Sequence, residues 1–539
     1  MSFRTLAEML KQSVEKYSDL MCSQMLGNTK MTFKELGERV EKVKQMFVSA
    51  GLKEGDKVAL YSSSHSNWAV CYMATVSAGM VIVPILPDFS EVELEKILEH
   101  SEAKALCVSD KLYTKVSKER VAKSNIVIRT KNLSVLAQNV NEQGSMADPK
   151  PEDLAAIIYT SGTTSSPKGV MHTHQSLCSQ LHLLQALFPI HRDDVWLSVL
   201  PLSHTYECSL GMLFPMSRGS NVTYLDRPPT VSVLLPALKQ VRPTIMLIVP
   251  LIIEKIFKHQ VLATFNSKAV TRALYGWGPT RRVLHLLAGK KLDKVFGGRI
   301  RFLGIGGAKL DPQAEQFLMD GKLNYAIGYG LTETAPLIAG ALPGLTRISS
   351  TGPVMGGVEV RLANLNDKGE GELEAKTPCV MQGYYKNPEA TAEVFTEDGW
   401  FRTRDIAKID EDGYIYIKGR VNSMIVGPSG ENIYPEEIEH VINSNSLVAE
   451  SIVTMEEGRL IALVNFNREA LEARYQDLKD DLSEKMDEVK KEVMQYVNSQ
   501  VNKFSRISEI EEVEEFLKTP SMKIKRFLYN NRQKQEDKK

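Results

Sequence analysis

Between Asp56 and Asp110 the hydrophobic period switches repeatedly, and the order of the switches limits the fold more than any other stretch of the chain. DKVALYSSS is an apolar run ending in small polar residues, and NWAVCYMATVSAG carries apolar residues at helical spacing up to a glycine stop. MVIVPILP is a second buried run. SEVELEKILEHS then opens on serine with glutamate three residues on, the reciprocal cap that satisfies free N–H groups in a helix's first turn. AKALCVSD completes the series as a third strand. Strand–helix–strand–helix–strand at this spacing means parallel strands joined by helical crossovers.

A similar rhythm recurs around VWLSVLPLSH, NVTYL, TIMLIVP and IRFLGIGGA. The larger part of the chain is therefore predicted to be an α/β body with more than one parallel or mixed sheet. From Gly352 to Gly419 the texture becomes short strands and turns (GVEVRLAN, NDKGEGELEAK, EDGYIYIKG), a β-rich lobe. Past Gly430 it becomes mixed α+β. There Leu471, Tyr475, Leu478, Leu482, Met486, Val489, Val493 and Val497 recur every three or four positions, predicting one apolar stripe on a long helix packed against its own domain, with a coiled-coil partner as the alternative. The predicted organisation is a large N-terminal body, 1–421, and a small mobile C-terminal α+β lid, 422–539.

At 539 residues the chain can hold several folding units, and 43% hydrophobic with 24% charged residues excludes wholesale disorder. The 66 Lys+Arg balance 66 Asp+Glu, whereas a protein held to nucleic acid by bulk charge is more basic; no nucleic-acid partner is expected. Cys22, Cys71, Cys107, Cys178, Cys208 and Cys379 are scattered without a C-x-x-C pair, which argues against a zinc site or disulfide framework and for a reducing compartment. MSFRTLAEMLKQSVEKYSDL reads as an amphipathic helix without an apolar signal core. The most apolar stretches, such as Met246 to Ile253, stop well short of the ~20 residues a spanning helix needs. A cytoplasmic protein, or one peripheral to a membrane, is expected.

The segment richest in chemistry is IIYTSGTTSSPKGV, Ile157 to Val170. An apolar strand runs into six small or hydroxyl residues, Ser161 to Ser166, and then Pro-Lys-Gly. Backbone N–H groups free of bulky side chains, five hydroxyls and Lys168 make a cradle for anionic oxygens. A Walker loop would need glycine at Pro167 and Ser or Thr at Gly169, so this is not a standard P-loop. A Ser/Thr-rich surface turn is the alternative reading of the same residues.

YTSGTTSSPKG resembles the signature of the adenylate-forming (AMP-binding) superfamily, which contains the acyl-CoA synthetases. LPLSHTYE (200–207), GIGGA (304–308), YGLTET (329–334), GWFRTRD (399–405), GYIYIKGR (413–420), SGENIYPEEIE (429–439) and KTPSMKIKR (518–526) follow in the expected order. The LPLSHTYE and SGENIYPEEIE stretches are most similar to the fatty acid–CoA ligase branch. The resemblance implies activation of a carboxylic acid, of the medium- or long-chain fatty class, by ATP to acyl-AMP and transfer to CoA. ATP, Mg²⁺ and CoA are the implied cofactor and co-substrates. A ligase loading a carrier-protein thiol, and a catalytically inert nucleotide- or lipid-binding regulator, are the alternatives.

By the same resemblance, Thr160, Ser161, Gly162, Thr163, Thr164, Ser165 and Lys168 hold the β- and γ-phosphates. Thr332 contacts the α-phosphate and Glu333 holds Mg²⁺. Gly306, Gly307 and Ala308 take the adenine against the backbone, with Tyr329 and Gly330 opposite. Asp405 takes both ribose hydroxyls, Arg420 lies near ribose and phosphate, and His204 lines the junction of acyl and nucleotide sites. Lys523 is the implied catalytic lysine, Asn422 the hinge, and Gly430 lines the CoA tunnel.

Four residues depart from the family pattern: Ser165, Arg404 and Met522 stand where glycine is usual, and Asn422 where a charge is common. Lys268 to Arg301 is also unusual, with nine Lys/Arg against Asp293 alone, plus Trp277 and the run VLHLL. Contact with anionic lipid, contact with CoA phosphates and an ordinary solvated face are its three readings.

Overall fold

In the computed structural model, which describes all residues except 1, 29, 161–166, 427–431, 457, 475–481, 520–522 and 530–539, the 56–110 pattern folds as read. Strands Lys57–Tyr61, Val81–Ile85 and Ala105–Val108 are joined by helices Ser66–Ser77 and Glu91–Ser101. The strands pair in parallel, with Lys57–Tyr61 between the other two. Ser90 caps the second helix as expected: its Oγ accepts from the Glu93 N–H at 3.3 Å, and Glu93 accepts from the Ser90 N–H at 3.0 Å.

These strands belong to an eight-stranded sheet that continues into the antiparallel pair Leu154–Thr160 and Lys168–Thr173 and ends there on the short strand Gly383–Tyr384. A second eight-stranded sheet contains Val195–Ser198, Asn221–Tyr224, Ile245–Ile248, Phe302–Ile305 and Tyr325–Gly330, all parallel to their neighbours in this group. Helix Ser66–Ser77 touches strands of both sheets and is buried along nearly its whole length. A helix apolar all round can only be an inner layer. Its Trp68 and Tyr72 stack at 5.4 Å within the core that Val58 and Leu60 of one sheet share with Trp196 and Val222 of the other.

Four antiparallel strands, Glu359–Ala363, Gly371–Lys376, Phe401–Ile409 and Ile415–Arg420, form the β-rich lobe. Beyond it a separate core forms around the sheet Val448–Glu456, Arg459–Phe466 and Glu509–Glu512. Leu471, Met486, Val489, Val493 and Val497 of the predicted stripe are buried in that core, so the stripe packs within its own domain. The described helices here are Arg468–Arg474 and Leu482–Gln500; Tyr475 and Leu478 lie outside the described residues.

Among the described residues several polar contacts join this unit to the body. Ser444 donates to Asp311 at 2.7 Å, Lys418 meets Glu437 at 3.2 Å, and Lys525 lies 3.7 Å from Glu93. Lys258 donates to the Asn443 carbonyl.

Candidate active site

Parallel strands present their carboxyl ends along one edge, and the loops leaving that edge form the natural binding crevice of an α/β sheet. Phe302–Ile305 and Tyr325–Gly330 are adjacent and parallel, so GIGGA and YGLTET leave the sheet side by side. The lobe supplies the facing groups: Asp405 and Arg420 are direct partners across an antiparallel pair.

Asp405 is buried, at 4% exposure, and its two oxygens are divided between two donors. The Tyr329 hydroxyl donates to Oδ2 at 2.6 Å, and Arg420 Nε lies 3.2 Å from Oδ1. Burial pushes the Asp405 carboxyl up, and Arg420 and the tyrosine hydroxyl pull against that shift. Arg420 is itself held above its usual value, first by Asp405.

Thr332 and Glu333 lie in a single 3-10 turn, Thr332–Thr334. The turn is fixed by two residues that sequence reasoning did not single out. His172, buried in the strand Lys168–Thr173, bonds the Thr332 carbonyl through Nε2 at 2.7 Å. Burial lowers its pKa to about 4, so it holds the turn as a neutral ring. Tyr384 donates to Glu333 Oε1 at 2.9 Å, and Lys168 Nζ lies 5.0 Å from the centre of the same tyrosine ring. Tyr384 thus lies between Lys168 and Glu333.

Among the described residues no group of three or more His, Cys, Asp or Glu forms a metal cluster. A single carboxylate fits Mg²⁺ arriving with a nucleotide, because that ion takes one or two carboxylates and fills its octahedron with phosphate oxygens and water. Glu333 could hold it, and the ion would neutralise phosphate charge there.

Lys523 comes from the C-terminal unit, about a hundred residues beyond Arg420, yet its ammonium is in electrostatic range of Arg420, Asp405 and Glu333. It is solvent-accessible but walled by protein, as befits a group in an open cleft. These walls, and then Arg420, depress its pKa, while Asp405 and Glu333 oppose the shift. His204 faces the same lysine, and burial with that charge lowers the imidazole to about 4. His204 Nδ1 accepts from the Tyr206 N–H at 3.3 Å, so the neutral ring carries its proton on Nε2.

The glycines of the crevice answer to different constraints, close neighbours at Gly306 and Gly330 and a positive φ at Gly307. A β-carbon on Gly306 would meet Gly328 O at 3.3 Å and the Tyr206 ring at 3.4 Å, while Gly307 has φ +91°. Gly307 and Ala308 face outward, and Tyr329 is half-buried. At Gly330 a β-carbon would fall 1.8 Å from the Pro336 carbonyl, which also accepts from the Leu331 N–H at 3.1 Å. Gly330→Ala is therefore expected to cost about 1–3 kcal/mol through forced backbone movement. It should also lower nucleotide turnover, since the shift is passed to Thr332; urea denaturation and turnover assays check the two parts.

Glu207, in LPLSHTYE, lies on a wide π-turn, Glu207–Leu213, that is buried throughout. Ser198 donates to its Oε1 at 2.5 Å, and Oε2 has no partner among the described residues. Gly211 makes the space, since a β-carbon there would lie 2.7 Å from the carboxyl carbon. Burial raises this carboxyl from 4.5 to about 8. The folded state then holds a proton the unfolded chain has lost, so stability falls as pH rises from 4.5 towards about 8, with no further change from this group above that. Glu207→Gln removes the dependence. Its stability relative to wild type should improve by up to about 2 kcal/mol between about pH 5.5 and pH 7.5, read from urea melts.

Arg404 has φ +61°, the left-handed region, which costs a residue with a β-carbon about 1–2 kcal/mol. Its guanidinium donates to the Glu393 carbonyl at 3.1 Å, and Asp405 still reaches both Tyr329 and Arg420. The substitution does not pull Asp405 from its partners. Thr160 and Lys168 are paired neighbours on adjacent strands. Asn422 lies exposed in the short turn Val421–Ser423. Ser161, Gly162, Thr163, Thr164, Ser165, Gly430 and Met522 lie outside the described residues.

A two-sheet body, a nucleotide-type crevice at the strand ends and a lysine reaching in from a small C-terminal domain define an adenylate-forming fold. The chain matches the family model described as AMP-binding enzyme over residues 10–385, and it belongs to that family. It is 28% identical over 480 residues to the long-chain-fatty-acid–CoA ligase FadD15 of Mycobacterium bovis, covering 82% of this chain and 78% of that protein. The long-chain-fatty-acid–[acyl-carrier-protein] ligase AEE15 of Arabidopsis thaliana is 26% identical, covering 99% and 86% respectively. ATP-bound MatB from Rhodopseudomonas palustris has the same fold, with a TM-score of 0.77 at 24% identity over 98% of this chain and 99% of that one.

Proposed function

We propose that the protein is an AMP-forming fatty acid–CoA ligase working in two half-reactions. In the first, a carboxylate oxygen attacks the α-phosphorus of ATP; the bond to the β-phosphate oxygen breaks and pyrophosphate leaves. In the second, the CoA thiolate attacks the acyl carbon, and AMP leaves with the electrons of the carbon–oxygen bond. Lys523 supplies the point charge for the oxygens of the first step, Asp405 orients the ribose, and Lys168, Thr332 and Arg420 oppose the phosphate charge. The observation that carries this reading is the convergence of Lys523 with Arg420, Asp405 and Glu333 from three distant stretches of chain.

The same lysine would block the path of a thiol to the acyl carbon. We place the division between body and lid at 421/422 and the hinge at Asn422, about which the lid turns between half-reactions so that the Gly430 loop replaces Lys523. The polar side-chain contacts named between the units suit such a movement, because water can replace them.

Medium-to-long aliphatic acids are the expected substrates. The LPLSHTYE stretch resembles the fatty acyl branch, the long-chain relatives agree with it, and no motif supplies a cation for a second substrate charge. A panel from acetate to oleate plus aromatic acids, scored for CoA-dependent AMP release, tests it. Best turnover with acetate or an aromatic acid would overturn the assignment. The acyl-carrier-protein ligase among the relatives favours one second reading, a protein-borne thiol as acceptor. Acyl transfer to holo carrier protein outpacing transfer to CoA would select it.

A further inference from the structure

The basic segment 268–301 folds as two consecutive helices, Ala269–Gly276 and Gly278–Val295. The second has a buried face, made by His285, Gly289 and Leu292 and packed on the body. A surface helix normally turns polar groups outward on the opposite side. Here the opposite ridge is Val283, Leu287, Lys290 and Lys294, at helical spacing and all exposed. The first helix adds exposed Val270 and Leu274 one turn apart, and Trp277 between the helices is 63% exposed. Five large apolar side chains thus stand in solvent on adjoining elements, more than a scatter of single surface residues.

Charge sets what could cover them. The segment has nine Lys/Arg and one acid, a surplus of eight in a chain whose formal net charge is zero. Arg281, Arg282, Lys290, Lys291 and Lys294 are exposed, and among the described residues none lies within ion-pair distance of a carboxylate. A second copy of the same face would bring like charges together, and an apolar protein groove would leave the cations unpaired. A bilayer with anionic headgroups satisfies both features: Trp and aliphatic groups enter the acyl boundary while Lys and Arg stay at the phosphates. No described helix is long and apolar enough to cross a membrane.

We propose that the helix pair 269–295, with Trp277 at its corner, is a docking face that holds the protein peripherally on anionic lipid bilayers. It deepens the fatty acid reading by placing the enzyme where such acids partition, but its test is read without turnover, so either can fail alone. The test is flotation of the full chain with vesicles of phosphatidylcholine, alone or mixed with phosphatidylglycerol. The wild-type protein should float with the mixed vesicles at least ~10-fold better than with the neutral ones, and lose binding as salt rises from ~0.1 M to ~0.5 M. Leu274→Ser/Trp277→Ser/Leu287→Ser and Arg281→Glu/Arg282→Glu/Lys290→Glu should each weaken binding at least ~10-fold. Both should keep wild-type urea melts and turnover of octanoate, a soluble acid. Equal flotation with neutral vesicles, no flotation at low salt, or variants that bind like wild type would overturn the proposal. So would a wild-type dimer that the apolar variant converts to monomer, because a second copy would then cover the face.

Discussion

Lys523→Ala is expected to slow carboxylate-dependent ATP–pyrophosphate exchange by at least ~100-fold, the loss that follows removal of one preorganised donor from a transition state in which charge develops. The same variant should convert supplied acyl-AMP and CoA to thioester at a near-normal rate. The asymmetry follows from where the lysine comes from. It is carried by the C-terminal unit, which meets the body through polar side-chain contacts, and it reaches a cleft already holding Arg420, Asp405 and Glu333. A charge delivered this way can be withdrawn once adenylation is complete. Gly430→Leu should show the reverse pattern, sparing exchange and blocking thioester formation. Equal damage by Lys523→Ala to both half-reactions would contradict lid rotation.

Asp405→Ala should raise the KM for ATP at least ~100-fold. Two hydrogen bonds from ribose hydroxyls to an ionised carboxylate are worth about 1.5–3 kcal/mol each, and the lower bound for the pair already corresponds to that factor. A further cost arises within the protein. Removing the carboxylate leaves the Tyr329 hydroxyl without its acceptor and Arg420 without its counter-charge in a walled crevice. Asp405→Asn should be milder, because it keeps an acceptor for Tyr329 while losing the charge. Steady-state kinetics with saturating acid separates the two variants, and an unchanged KM in Asp405→Ala would remove this residue from the nucleotide site.

Local rules made much of the fold legible. The Ser90–Glu93 cap, the parallel order of 57–108 and the Leu471–Val497 stripe depend on spacing within a few residues, and spacing is what a sequence displays. Asp405 and Arg420 were each named by a motif, but only the strand leading to Arg420 was read from the sequence, and their pairing across Phe401–Ile409 and Ile415–Arg420 required coordinates. Tyr384 and His172 were not legible. One is an aromatic residue in a stretch with no periodic signal, and the other sits on a strand as an ordinary core histidine; only the three-dimensional approach of Glu333 and of the Thr332 carbonyl gives them roles. Arg404 lay between these cases. Its departure from glycine was visible, but the left-handed backbone that makes glycine favourable there, and the Glu393 contact that accompanies arginine, required coordinates.

In the proposed reaction this crevice joins a carboxylic acid to AMP before any thiol is involved. The most direct measurement is incorporation of labelled pyrophosphate into ATP by the purified protein with a long-chain acid and no CoA. Incorporation should require the acid, with AMP released only when CoA is added. Exchange independent of the acid, or ATP cleaved to ADP and phosphate, would contradict it.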